Sequence, residues 1–106
     1  LSMIESTIQD IPGREITQIL GVVRGNSVRA RHVGRDIIAS VKNLIGGEIS
    51  EYAKLQAETR EMANRRMMEQ AQSLGADAVV NIRYTTSMIA AGASEILAYG
   101  TAVKLS

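Results

Sequence analysis

Apolar positions repeat with a period of two in some stretches of this chain and near 3.6 in others, and the switches between the two lay out its elements. Met3 to Ile11 alternates weakly and stops at Pro12-Gly13, which predicts a short edge strand and a turn. From Glu15 to Arg29, Ile16, Ile19, Leu20, Val22, Val23 and Val28 favour extended structure. Apolar residues fall on both faces of that strand, so one face is expected to meet helices and the other a neighbouring subunit. Gly21 and Gly25 lie in its interior, where glycine marks a bend, a bulge or a close approach of another backbone. Val33 to Ile45 has the stripe Ile37, Ile38, Val41, Leu44, Ile45 and reads as a short helix ended by Gly46-Gly47.

Glu51 to Leu74 is the longest helical signal and the element that the others are expected to cover. It holds no Gly and no Pro, Ser50 stands where an N-cap is wanted, and Gly75 stands where a left-handed C′ residue is wanted. At about 1.5 Å per residue it would span about 36 Å. Its predicted buried face is Tyr52, Thr59, Ala63, Met67, Ala71 and Leu74, with Leu55 and Met62 on the flank. That face is narrow and built of small residues. Lys54, Glu58, Glu61, Arg65, Glu69 and Gln72 form the solvated opposite side. Asp77 to Met88 and Glu95 to Leu105 then alternate around a small-residue link and read as an antiparallel hairpin. Ala78, Val80, Ile82, Tyr84 and Thr86 are assigned to one side of its first strand. Ile96, Ala98, Gly100 and Ala102 form a small-residue side of the second, suited to a helix.

The expected architecture is α+β in two layers: an antiparallel sheet of three to four strands packed by one long and one shorter helix, as a single domain over residues 1–106. A sheet of this size has two free edges, and closure into a ring of subunits would pair them. Composition points the same way. The chain has no Phe, no Trp and three Tyr, which makes a thin core for a long helix. Shared apolar surface between subunits is expected to make up the difference.

Charge and composition exclude more than they specify. The net charge of +1 gives no field for nucleic acid or a membrane surface, and aromatic residues for stacking on bases are few. No apolar run approaches the roughly 20 residues of a membrane span. No signal peptide is visible, and the absence of cysteine fits a cytoplasmic location while excluding a disulfide, a thiolate metal site and a cysteine nucleophile.

The densest polar constellation is Arg24, Arg29, Arg31, His32, Arg35 and Asp36, where the long strand ends and the short helix begins. Guanidinium forks match phosphate or carboxylate, and free helix N–H groups add to the field, so this is the candidate ligand-binding site for a small anion. Arg24, Arg29, Arg31, His32 and Arg35 are its candidate residues. The competing reading has the arginines pairing with carboxylates of neighbouring subunits. His32 and Asp36 are four apart and could touch across a helical turn, but no nucleophile accompanies them. The chain therefore reads as a binding or structural protein, with a small enzyme using His32 as a weaker alternative. The glycines match neither a P-loop nor a dinucleotide-binding turn.

Several segments together resemble the YbjQ-like family: Gly13-Arg14-Glu15-Ile16, Gly21-Val22-Val23-Arg24-Gly25, Arg35-Asp36-Ile37 with Gly46-Gly47, Leu74-Gly75-Ala76-Asp77-Ala78-Val79-Val80, and Tyr99-Gly100-Thr101-Ala102-Val103. The resemblance runs from about Met3 to Leu105. It implies a small bacterial or archaeal cytosolic protein with a dodecin-like subunit that assembles as a homopentameric ring, and it implies no particular activity. It also carries a heavy-metal-binding label. A soft metal wants thiolate or several imidazoles, and this chain has no Cys and one His. Copies of His32 around a ring axis, or Asp36 or Asp77 with a hard cation, are the arrangements left. No cofactor is predicted, and the expected partners are further copies of the chain and a small anion.

Overall fold

β1 (Ile4–Glu5), β2 (Ile16–Ala30), α1 (Ile49–Ser73), β3 (Ala78–Ala90) and β4 (Ala93–Leu105) follow one another along the chain. This is a computed structural model, and it describes residues 3–30, 49–90 and 93–106. The strands form one sheet in the order β1-β3-β4-β2. β4 pairs antiparallel with both β2 and β3, and its pairing with β3 is the hairpin expected from the two alternating runs around a short link. β1 pairs parallel with β3, through Ile4↔Ala78 and Glu5↔Val79. The sheet is therefore mixed, not antiparallel throughout. The direction of β1 is set by a partner more than seventy residues away, which local alternation does not encode. The predicted shorter helix over Val33–Ile45 lies outside the described residues.

Ile49 is already helical, so Ser50 lies inside the long helix and is not its cap. Its C-terminus matches expectation closely. The Ala76 N–H donates to the Ala71 carbonyl (3.2 Å) and the Gly75 N–H to that of Gln72 (3.0 Å). With Gly75 at φ 77°, this is a Schellman stop. Thr59, Ala63, Met67 and Ala71, at strict spacings of four, are fully or almost fully buried. Leu74, assigned to the same face, is 46% exposed, because it follows the last helical residue and turns off the stripe.

α1 packs over β2 and β4 and barely reaches β3. The approach to β2 is set by Gly25. A Cβ built there would fall inside contact distance of the Ala63 carbonyl oxygen and the Met67 amide nitrogen, and 2.8 Å from the Arg66 carbonyl carbon. Helix backbone thus rests directly on strand backbone, and only glycine permits it. Val23, Ala98 and Ala102 fill the space on either side with Ala63, Met67 and Ala71.

Two bulges decide which strand residues join this core. On β3, Asn81 and Ile82 stand opposite the single residue Gly100, since Val80 pairs with Thr101 and Arg83 with Tyr99. Asn81 takes φ 55°, a left-handed conformation that Asn tolerates better than most residues. The bulge reverses the parity. Val79 and Ile82 both belong to the helix-side core, whereas Ala78 and Val80 pack on the other side with Val103, Leu105, Ile4, Ile11 and Ile16. The uninterrupted alternation expected for Ala78, Val80, Ile82 and Tyr84 is thus broken in the middle. On β2 a second shift, between Ile19 and Gly21, leaves Leu20 unpaired and turned toward the helix-side core. β4 has no such break, and its Ile96, Ala98 and Ala102 face the helix as expected.

Two substitutions test this packing. Gly25→Ala must push the helix off the strand and is expected to lower the unfolding free energy by about 1–3 kcal/mol or more in urea titration, despite the gain of an apolar methyl. Met67→Ala leaves a cavity beneath the helix and is expected to cost about 2–5 kcal/mol in the same titration.

Candidate functional site

Among the described residues, the face of the sheet opposite α1 has no element packed on it beyond the cluster that Ile4, Ile11 and Ile16 form with Ala78, Val80, Val103 and Leu105 at one end. From Val22 to Ala30 the register of β2 with β4 is unbroken, and Val22, Arg24, Asn26 and Val28 share the side away from the helix. Ile19 is 69% exposed, Val22 57% and Val28 46%. Arg24 pairs with Tyr99, and Tyr99 pairs with Arg83 on its other side. At a strand spacing of about 4.8 Å this row sets two arginine positions roughly 10 Å apart across one phenol. The Arg83 guanidinium is already engaged. Its Nη1 donates to the carbonyls of Thr7 (2.7 Å) and Ile82 (2.9 Å), tying β3 to the segment after β1. Arg24 is exposed, and among the described residues its guanidinium has no carboxylate partner.

The arginine cluster expected from sequence is only partly in view. Arg24 sits on the open face. Arg29, five residues on, occupies a strand position of opposite parity. Arg31, His32, Arg35 and Asp36 lie outside the described residues.

A polar network that the alternation did not signal joins β1, α1 and β3. The Tyr84 hydroxyl donates to Asn64 Oδ1 (3.1 Å), and Asn64 Nδ2 donates to Glu5 Oε1 (3.0 Å). Partial burial, then the negative charges of Glu5 and Glu61, push the Tyr84 phenol above its ordinary 10.0, against the opposing charge of Arg60. Tyr84 is thereby kept as a neutral donor. Its place beside the helix follows from the Asn81 bulge, so only the folded register exposes the connection.

Asp77, a carboxylate considered for a hard cation, has a structural task. Its Oδ2 accepts the Leu105 N–H (2.9 Å) and its own N–H donates to the Val103 carbonyl (2.9 Å), pinning the end of β4. Among the described residues, no three His, Cys, Asp or Glu side chains converge on a common point, so these residues do not form a metal donor set. No helix among them is long and apolar enough to cross a membrane.

A family model described as "Putative heavy-metal-binding", YbjQ_1, matches residues 3–106. A UPF0145 protein from Archaeoglobus fulgidus is 56% identical over 103 residues, covering 97% of this chain and 95% of that protein. One from Vibrio campbellii is 58% identical over 103 residues, covering 97% and 99%. One from Photobacterium profundum is 62% identical over 99 residues, covering 93% and 96%. Among solved structures, a protein of unknown function in the DUF74 family from Pediococcus pentosaceus superposes with a TM-score of 0.68 at 17% identity, covering 98% of each chain. At that identity the likeness concerns the fold.

The Tyr84 network gives a pH prediction. A phenol whose folded pKa is raised contributes stability that is fully present below 10.0 and is lost as pH rises through the folded value. Native protein is expected to lose stability in strongly alkaline buffer by an increment that Tyr84→Phe lacks, read as the difference between their urea midpoints at neutral and alkaline pH. Equal losses in both proteins would remove Tyr84 as the cause.

Proposed function

We propose, for a chain that belongs to the YbjQ family, that it acts as a self-assembling binding module whose open sheet face meets further copies and whose basic residues on and after β2 hold a small anion. The observation that carries this reading is the face itself. Exposed Ile19, Val22 and Val28 stand around the exposed Arg24 on one side of a long strand. Full burial of an exposed aliphatic side chain contributes about 1.5–3 kcal/mol, and the exposed part of each of these gives association a share of that driving force. Arg24 then supplies a cation at the margin of an apolar contact, where a phosphate or carboxylate would be held by charge-assisted hydrogen bonds. Arg31, His32 and Arg35, which follow β2 in the sequence, belong to the same proposal, whereas Arg29, at a position of opposite parity to Arg24, is not part of the Arg24 site.

Closure into a ring of five dodecin-like subunits in the cytoplasm belongs to the same proposal. The number five rests on the family resemblance, and the residues argue only for shared apolar surface. Nucleic acid and membrane have no part in this reading.

Light scattering on purified protein, with elemental analysis of the same peak, tests it. A pentameric mass free of metal is the expected result. Val22→Asp is expected to reduce that mass while leaving the circular dichroism spectrum unchanged. Phosphate binding, followed by calorimetry, is expected to weaken roughly tenfold in Arg24→Ala, as for loss of one charge-assisted hydrogen bond. A monomer at all concentrations would overturn the assembly. Metal at near-integer stoichiometry that disappears in His32→Ala would replace the anion reading with the one in the family's description.

A further inference from the structure

β2 ends the sheet order, so alternate backbone groups along it point away from β4 and toward any strand that might add there. Two groups of this kind are already taken. The Arg24 N–H donates to Gln70 Oε1 (2.7 Å), and the Asn26 carbonyl accepts from Arg66 Nη1 (2.7 Å). The spacings match. Gln70 and Arg66 are one helical turn apart, about 6 Å along α1, and Arg24 and Asn26 are two strand residues apart, about 6.8 Å. The pairing runs antiparallel, and Gly25 lies between the two anchor points, where it lets the helix backbone come close enough for both side chains to reach around the edge. Without these bonds the edge would be inviting to another strand, since Val22 and Val28 beside it are exposed and β-branched.

We propose that Arg66 and Gln70 form an intramolecular guard on the β2 edge, occupying the Arg24 N–H and the Asn26 carbonyl and covering the edge between them so that a strand from a second copy cannot add there. Association through the open face is untouched by this guard, because the face and the edge are different surfaces. The guard directs copies away from open-ended edge pairing, which has no geometric reason to close.

The test is the double variant Arg66→Ala/Gln70→Ala, in which both changes favour helix. Native amide exchange at Arg24 is expected to run roughly tenfold faster, the change that follows loss of a hydrogen bond of ordinary net strength. Light scattering over a concentration series is expected to show growth in mass beyond that of the unsubstituted protein. The pair Arg66→Lys/Gln70→Glu, which keeps a donor and an acceptor, is expected to retain the original mass. Unchanged mass in the alanine variant would overturn the proposal, whether or not exchange accelerates. So would growth in mass with Arg24 exchange unaltered, which would place the new contact elsewhere. A purely structural role for the two side chains predicts lower stability without concentration-dependent growth.

Discussion

The structure depends on a contact between two backbones. α1 lies on β2 at Gly25 with no side chain between them, so the helix sits closer to the sheet than a layer of Leu or Ile would allow. Everything on the helix face is scaled to that distance. Ala63 and Ala71 flank Met67, and Ala98 and Ala102 meet them from the sheet. A chain without Phe or Trp can build a dense core only if its layers are close, because dispersion falls away over fractions of an ångström. Glycine and alanine here are the means by which a core of small residues becomes tight.

The same closeness has a second consequence at the sheet margin. Because α1 is drawn onto the edge strand and leaves β3 largely to itself, its Gln70 and Arg66 reach the backbone groups of Arg24 and Asn26. The edge is covered by the helix that packs the core. Among the described residues, the opposite sheet face has no such cover beyond the small cluster of Ala78, Val80, Val103 and Leu105 with Ile4, Ile11 and Ile16 at one end. The proposed assembly and the proposed guard are thus two results of one placement, with one surface left open and the neighbouring one closed.

The site was less legible than the fold. Clustering of arginines in sequence suggested a common surface, but a strand alternates its faces, so Arg24 and Arg29 occupy positions of opposite parity. Arg83, which sequence gave no reason to single out, enters the row with Tyr99 and Arg24 only through β3–β4 pairing. The Tyr84–Asn64–Glu5 chain joins three elements far apart in sequence. Distances of that kind are invisible to local periodicity, which reports on a residue's neighbours within a turn or a strand pair.

Sequence by itself determined the extents of the long strands and of the long helix, the glycine stop at Gly75, the small-residue face of β4, and Gly21 and Gly25 as points where a bend, a bulge or a close approach falls within β2. Each follows from interactions a few residues long or from the steric freedom of a single residue. Tertiary structure alone decided the parallel pairing of β1, the reversal of faces at Asn81 and the place of Arg83 in a row with Tyr99 and Arg24. The physical reason is shared by all three. A strand's pairing and parity are fixed by its partner, and one inserted residue in the ladder moves every later side chain to the other face.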